Sequence, residues 1–186
     1  MKTKKLVAAA AIAATLCVTI GGTLAWLTDT TDPVKNTFTV GNVEIELAET
    51  KDNFKMVPGG TIEKDPKVTV EAESEDCYVF VKVEESNNLE SYIGYTIDSG
   101  WTALPEVDGV YYRVVEDIVA DQTFSVLADD EVSVLEAVTS DMMDAVSGDN
   151  AGNAPTLTFT AYAVQKANVT DVNAAWNIVN PASANE

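Results

Sequence analysis

The segment Cys77-Tyr78-Val79-Phe80-Val81-Lys82-Val83 is the strongest strand-forming stretch of this 186-residue chain. Its three valines fall on one face of an extended strand and Tyr78 and Phe80 on the other, because successive side chains of a strand point to opposite sides. Apolar residues on both faces predict a central strand that is covered on both sides. Lys82 ends the second face, where its aliphatic stem lets the ammonium group reach water.

Further strands are predicted upstream of this segment. Residues 43–47 alternate apolar and acidic side chains, which is typical of a strand with one face in water. Phe38 and Val40 have the opposite parity, so we expect a bulge or twist at Gly41, which lies between the two phases. The sequence Val57-Pro58-Gly59-Gly60 has proline and glycine in the order of a type II turn, and a short strand is predicted at residues 67–71.

Downstream, the pattern of short strands continues almost to the C-terminal end. Strands are predicted at residues 92–97, 101–104, 110–115, 124–127, 132–138 and 156–165. The Asp108-Gly109 pair favours a tight reversal before the third of these strands. An acidic turn is expected between the strands at 124–127 and 132–138, and a short helix is expected at residues 141–146.

One amphipathic helix is predicted to close the domain. Val172, Ala175, Trp176 and Val179 recur at helical spacing, Thr170 is positioned to cap the helix, and Asn180-Pro181 ends it. Short strands separated by Gly, Pro and Asp turns, with a single clear helix at the C-terminal end, predict a mainly β fold. The expected architecture is an antiparallel β-sandwich.

The first 25 residues have the pattern of an export signal. Three lysines precede an apolar run at residues 6–20, and Thr23 and Ala25 are the small residues of a cleavage site between Ala25 and Trp26. A retained membrane anchor is less consistent with this pattern, because a spanning helix needs about 20 strongly apolar residues and this run is mostly Ala. We therefore expect a secreted protein, in the extracellular matrix or on the cell surface, with no stable membrane anchor after cleavage.

Composition and charge narrow the classes of function. The chain holds 11 basic and 30 acidic residues, and removal of residues 1–25 takes away three Lys and no acid, which leaves a mature net charge of −22. Such a surface repels nucleic acid and anionic lipid, so nucleic-acid binding is not expected. Self-association would depend on ionic conditions, because salt screens the repulsion between copies.

The residue types that most often carry catalysis are scarce. The sequence contains no His, which removes the Ser-His-Asp and Cys-His arrangements and the zinc-binding His-Glu-x-x-His helix, so we predict that the protein is not an enzyme. Cys77 is the only cysteine left after signal cleavage. It cannot form an intramolecular disulfide and is interpreted as a small buried hydrophobe.

Two other groups of residues have a functional and a structural interpretation. Asp129-Asp130-Glu131, and Asp149 with Asn150 and Asn153, present oxygen ligands for calcium but lack the spacing of a known calcium loop. We interpret them as solvated acidic turns and expect no cofactor beyond weak, non-specific calcium binding. The aromatic residues Trp101, Tyr111 and Tyr112 suit a sugar-stacking platform, but their strand positions favour core and rim roles.

Two blocks near the N-terminus are specific: Gly21-Gly22-Thr23-Leu24-Ala25-Trp26-Leu27-Thr28-Asp29 and Asn36-Thr37-Phe38-Thr39-Val40-Gly41-Asn42-Val43-Glu44-Ile45. With these blocks the sequence resembles the TasA and camelysin family of Gram-positive bacteria, secreted proteins that are processed by a SipW-type signal peptidase. The resemblance covers the whole chain and is looser between residues 86 and 150. Residues 58–60 with 64–70, the strand at 78–83, and residues 161–165 followed by 174–176 are similar to later blocks of the family.

The resemblance implies a jelly-roll-like domain that polymerises into biofilm matrix fibres, each subunit donating its N-terminal segment as a strand to the next. Its implied organisation is a signal peptide at 1–25, an extended donor segment at 26–36 and a β-sandwich at 37–186. The assembly residues would be Trp26, Leu27, Phe38 and Val40, and the partners would be further copies of the chain and other matrix proteins. Camelysin is described as a metalloprotease, but a chain without His lacks an ordinary zinc site.

Two hypotheses of function therefore follow from the sequence. In the first, the mature chain is a structural subunit of extracellular matrix fibres that assembles by donor-strand exchange. In the second, it is a monomeric secreted adhesion or polysaccharide-binding module, which recognises its ligand through a strand face bearing Trp101 and Tyr111.

Overall fold

A computed structural model describes residues 42–50 and 55–180. The predicted signal peptide, its cleavage site at Ala25 and Trp26, the donor segment at 26–36 and the bulge at Gly41 lie outside the described residues. The predicted assembly residues Trp26, Leu27, Phe38 and Val40 lie outside them as well. These assignments stay predictions.

The described residues form a mainly β structure of antiparallel sheets, as the sequence predicts. The strands are β1 (Ile45–Ala48), β2 (Thr61–Glu63), β3 (Lys67–Val70), β4 (Cys77–Glu85), β5 (Ile93–Ile97), β6 (Thr102–Ala103), β7 (Val110–Val115), β8 (Gln122–Ser125), β9 (Leu127–Val134) and β10 (Leu157–Gln165). Their order in the three sheets is β1-β3-β8, β10-β4-β7-β6 and β2-β9-β5. The finer expectation of a jelly roll stays a prediction.

β4 is the central strand that the sequence predicts. It pairs along its length with β10 on one side and with β7 on the other. The face with Val79 and Val81, both fully buried, packs with Val68 and Val70 of β3. On the opposite face Phe80, also fully buried, packs against the C-terminal helix. Two hydrophobic clusters therefore meet on the two sides of one strand.

The acidic residues predicted as a turn between two strands lie inside β9, so the prediction is wrong there. The break between β8 and β9 falls instead at Val126, whose N–H donates to the Pro66 carbonyl (2.9 Å). Asp129 and Asp130 adopt φ angles of 59° and 56°, a left-handed conformation that aspartate tolerates better than most residues. The ladder is interrupted here: Leu127 pairs with Ile97 and Val132 with Tyr95, so residues 128–131 form an irregularity opposite β5, and pairing with β2 begins at Glu131.

Several predicted turns and helices are confirmed. Gly60 N–H donates to the Val57 carbonyl (2.8 Å) and Gly59 has a φ of 73°, which is the geometry of a type II turn. Helix α1 spans Ser140–Asp144, and a 3₁₀ helix at Gly148–Asn153 occupies the loop that follows it. Within the described ranges, no helix is long and apolar enough to cross a membrane.

The C-terminal helix α2 (Val172–Val179) forms as predicted, but its cap differs. The Asp171 carboxylate accepts a hydrogen bond from Ala174 N–H (2.8 Å), which makes Asp171 the N-cap instead of Thr170. The Thr170 hydroxyl donates to the Asp171 carboxylate (3.4 Å). Capping places Trp176 over Phe80, with 5.3 Å between the ring centroids, and edge-on to Tyr162.

The cap assignment predicts different effects for two neighbouring substitutions. Asp171→Ala is expected to lower the free energy of unfolding by about 1 kcal/mol, because the Ala174 N–H loses its acceptor. Thr170→Ala is expected to change it by less than about 0.5 kcal/mol. Urea denaturation followed by circular dichroism measures both values. A larger loss in Thr170→Ala than in Asp171→Ala would contradict the assignment.

Candidate functional site

The outer edge of β10 is the longest open strand edge in the described part of the chain. β10 is nine residues long and hydrogen-bonds as a strand only to β4 among the described residues. β1 comes near it on the other side, but no ladder joins the two. Alternate residues of an antiparallel strand direct their N–H and C=O groups away from the paired neighbour. β10 therefore presents a row of backbone donors and acceptors on its outer side.

A groove, here called the β10 groove, runs between β10 and the strands β1 and β2. It consists of cavities of about 410 and 360 Å³ that share Lys64, Leu157 and Thr158 in their linings. The larger cavity is lined mainly by apolar side chains: Met56, Ile62, Leu89, Ile93, Val132, Ala154, Pro155 and Leu157. The smaller cavity is lined in addition by Leu47, Ala48 and Phe159. This combination of an open edge and an apolar lining suits an extended apolar segment.

A charged pair lies where the two cavities of the β10 groove meet. Lys64 is only 8% exposed, and its Nζ lies 2.7 Å from a Glu49 carboxylate oxygen and 5.5 Å from the centre of the Phe159 ring. Glu49 follows β1 directly. A desolvated ammonium group is tolerated only when paired, so this contact ties the end of β1 to the chain after β2.

β1 itself is an edge strand. It pairs with β3, and half-buried Ile45 is followed by exposed residues through Ala48. At its start, Glu71 N–H donates to the Glu44 carbonyl (3.0 Å). Asp121 lies directly before β8, the strand that pairs with the other side of β3. A carboxyl–carboxyl hydrogen bond to Glu44 and the charges of Glu44, Asp121 and Glu46 raise the pKa of Glu71 above its usual value.

A second groove, here called the β5 groove, borders the outer edge of β5. It is an open depression of about 480 Å³, lined by Glu85, Glu90, the β5 residues Ile93–Ile97 and Tyr111. The Tyr95 hydroxyl donates a short hydrogen bond to the Glu85 carboxylate. Burial, and then the bond and charge of Glu85, raise the pKa of Tyr95. Unlike the β10 groove, whose lining includes Lys64, this site combines two tyrosine rings and two carboxylates with no Lys or Arg.

The aromatic residues considered as a sugar platform are separated by the structure. Trp101 is 6% exposed, and its Nε1–H donates to the Ser125 carbonyl (2.8 Å) while the Arg113 guanidinium lies 5.2 Å from its ring. Tyr111 packs against the same core cluster and reaches the β5 groove. Tyr112, on the opposite face of β7, packs near Phe80 under α2. The core-and-rim interpretation is confirmed for Trp101.

The remaining candidate residues are Cys77 and the two acidic groups considered for calcium. Cys77 is fully buried, and burial followed by the charge of Asp76 raises the pKa of its thiol to about 11. Asp129, Asp130 and Glu131 lie on β9, whereas Asp149, Asn150 and Asn153 lie in the 3₁₀ helix. Within the described ranges, no group of three or more Asp, Glu or Cys side chains is arranged to hold a metal ion.

Comparison of the chain with protein-family models, with curated proteins and with solved structures gave no match in any of the three. The resemblance to the TasA and camelysin family therefore stays a prediction.

Sequence reasoning missed both grooves. The side chains that line the β10 groove come from β1, β2, β5, β9, β10 and several connecting segments, and most of them look like ordinary core residues in the sequence. Lys64 is buried in this lining, but nothing local in the sequence marks it as a buried residue. The tyrosine and glutamate pair of the β5 groove spans ten residues and two strands, without a recognisable motif.

The raised pKa of Glu71 predicts a pH-dependent effect on stability. A carboxyl with a folded pKa above its unfolded value favours the folded state at low pH, and this contribution is lost as pH rises through the folded pKa. Glu71→Gln is therefore expected to raise the urea midpoint at neutral pH and to leave it nearly unchanged below pH about 4, near the usual Glu pKa. Urea titrations at the two pH values measure the difference.

The matched control for this prediction is Glu106→Gln, an exposed residue in the loop between β6 and β7. It changes the net charge equally and should have no comparable pH-dependent effect. If both variants gain the same stability at neutral pH, the effect comes from net charge and the local interpretation of Glu71 is wrong.

Proposed function

We propose that residues 26–186 are a secreted structural subunit of extracellular matrix fibres. In this proposal the N-terminal segment of one copy adds as a strand to the β10 edge of the next copy and fills its β10 groove. The observation that carries the proposal is the nine-residue open edge of β10, whose first three residues, 157–159, line an apolar groove. A SipW-type signal peptidase would free the donor segment by cleavage at Ala25.

Backbone pairing supplies the first part of the binding energy. The outer edge of β10 offers roughly eight to ten hydrogen-bonding groups, because about every second residue presents its N–H and C=O outward. Each hydrogen bond contributes about 1 kcal/mol net. Ordering of the donor segment opposes this gain, so backbone pairing alone gives weak association and the side chains must contribute the rest.

The β10 groove supplies that second part. The donor segment carries Trp26 and Leu27 at its start, and Phe38 and Val40 follow it before β1. Burial of a large apolar side chain contributes about 1.5–3 kcal/mol. Met56, Ile62 and Leu157 offer matching apolar surface on the acceptor. Alternate side chains of an added strand would point into this groove, as strand addition requires.

The packing of the sheets is consistent with a jelly-roll-like sandwich. β2 is followed by β3 after a short connection that includes Pro66, and β8 is followed by β9 after the single residue Val126. The two sheets that share these bent strands lie on one side of the core around Val79 and Val81, and the sheet of β4 lies on the other. A two-layer arrangement of this kind leaves open edges where the layers meet, which a donated strand could occupy.

The alternative, a monomeric polysaccharide-binding or adhesion module, has weaker support. It requires a strand face with accessible aromatic rings, and Trp101 is buried with its indole N–H already bonded to Ser125. Catalysis has no positive support either, because the chain contains no His and the only mature cysteine, Cys77, is buried.

Mixing experiments with complementary variants test the proposal. A chain lacking residues 26–36 should accept a strand but not donate one, and Ile62→Glu, which places a charge in the groove, should donate but not accept. Each is expected to stay monomeric, whereas the mixture should form a one-to-one dimer and the unaltered mature chain should form fibres. Analytical ultracentrifugation and electron microscopy measure these outcomes. Every chain begins at Trp26 except the one that lacks residues 26–36.

The control is Val119→Glu, which adds the same charge at a residue that is 90% exposed and not part of the groove lining. It should form fibres like the unaltered chain, with circular dichroism confirming the fold of every variant. Fibres from the chain lacking residues 26–36, or a mature chain that stays monomeric at all pH and salt conditions, would overturn the proposal.

A further inference from the structure

We propose that the β5 groove is a second docking site, which binds a lysine- or arginine-bearing extended segment of a different protein. The inference is independent of donor-strand exchange, because the side chains that select the ligand, Glu85, Glu90, Tyr95 and Tyr111, lie outside the lining of the β10 groove, with which the site shares only Ile93. Its basis is the coincidence of an open strand edge, two tyrosine rings and two carboxylates in one cavity of about 480 Å³.

The backbone of β5 is available on its outer side. Leu135 N–H donates to the Tyr92 carbonyl (2.9 Å), and Gly94 pairs with Ser133 of β9. Because the directions of backbone groups alternate along an antiparallel strand, those of Ile93 and Tyr95 point away from β9. β5 lies at the end of its sheet, and no strand within the described residues pairs with this outer edge. An extended peptide can therefore add here as a further strand.

The side chains of the β5 groove select a cation. Glu85 and Glu90 are exposed carboxylates, and the lining contains no Lys or Arg. Tyr95 and Tyr111 contribute half-buried aromatic rings, and the hydrogen bond from Tyr95 holds Glu85 in place. Carboxylates with adjacent aromatic rings bind ammonium and guanidinium groups through charge-assisted hydrogen bonds and cation–π contacts.

The charge of the chain indicates that the occupant is a different protein. A mature copy holds only eight basic residues against 30 acidic ones, so copies repel one another at this acidic surface. A basic partner is attracted by the same field. The β10 groove differs because its lining is mainly apolar and includes Lys64. A cationic glycan would satisfy the carboxylates, but it lacks the regular peptide backbone that the edge of β5 can pair with.

A synthetic peptide that alternates threonine and lysine is the probe, and its threonine–glutamate counterpart is the negative control. Fluorescence anisotropy with the full mature chain should show binding of the lysine peptide alone. The double variant Glu85→Gln with Glu90→Gln should raise the dissociation constant about tenfold, because both charge-assisted contacts are lost. Amide hydrogen exchange at Ile93 and Tyr95 should slow when the lysine peptide binds.

Two controls separate strand addition from general attraction. The variant Glu46→Gln with Glu75→Gln makes the same change in net charge away from the β5 groove and should leave the dissociation constant nearly unchanged. A lysine peptide that is N-methylated at alternate residues keeps its charges but cannot form the ladder, and it should bind at least about tenfold more weakly.

Equal binding of the N-methylated peptide, or equal losses in both double variants, would overturn the proposal. So would protection of Ile93 and Tyr95 by a glucosamine tetramer but not by the lysine peptide. Fibre formation is scored separately in the same variants and should persist, because neither variant alters the β10 groove. Failure of this inference is therefore distinguishable from failure of the proposed function.

Discussion

Burial of β4 on both faces is the constraint on which the rest of the structure depends. One face joins the core shared with β3, and the other carries Phe80 beneath Trp176 of α2. Each fully buried large side chain contributes about 1.5–3 kcal/mol, and β4 provides such side chains to two clusters at once. The strand also pairs with β10 and β7, so it fixes the position of the open β10 edge relative to the core.

The strong acidity of the chain shapes how its few cations are used. Lys64 pairs with Glu49, Lys67 lies near Asp65 and Asp130, and Lys166 pairs with Glu116. Most of these pairs join different elements of the fold. The partly exposed pairs stabilise little individually, but Lys64 is largely buried, and its pairing with Glu49 positions β1 beside the groove. The surplus carboxylates remain on the surface, where they disfavour association unless a specific interface overcomes their repulsion.

The two open edges differ in chemistry because different parts of the chain line them. The β10 edge meets apolar side chains from β1 and β2, whereas the β5 edge meets the end of β4 and the tyrosine of β7. An open edge is a hazard as well as an opportunity, since it can pair with any extended segment. The linings provide selectivity: one favours apolar side chains and the other favours cations.

The sequence by itself determined the elements with strong local periodicity or local turn chemistry. β4, β7, β10, α2 and the turn at Gly59 follow from alternation, helical spacing and the conformational freedom of glycine. It failed at residues 128–131, where acidic composition suggested a turn, because β9 continues through an irregularity with two left-handed residues and pairs with β5 on either side of it and with β2 from Glu131 onward. It also placed the cap of α2 one residue early, at Thr170, because two adjacent residues were both suitable acceptors.

Only the tertiary structure decided which edges stay open and which side chains line them. Leu157, Ile62 and Lys64 are distant or unremarkable in the sequence, and their shared groove arises from how three sheets meet. Trp101 illustrates the same limit. Its place in a predicted short strand is compatible with an accessible or a buried ring, and only the contacts with Arg113 and Ser125 show that the ring is buried. The physical reason is that periodicity records the direction of a side chain relative to its own strand, whereas a groove depends on contacts between strands far apart in the chain.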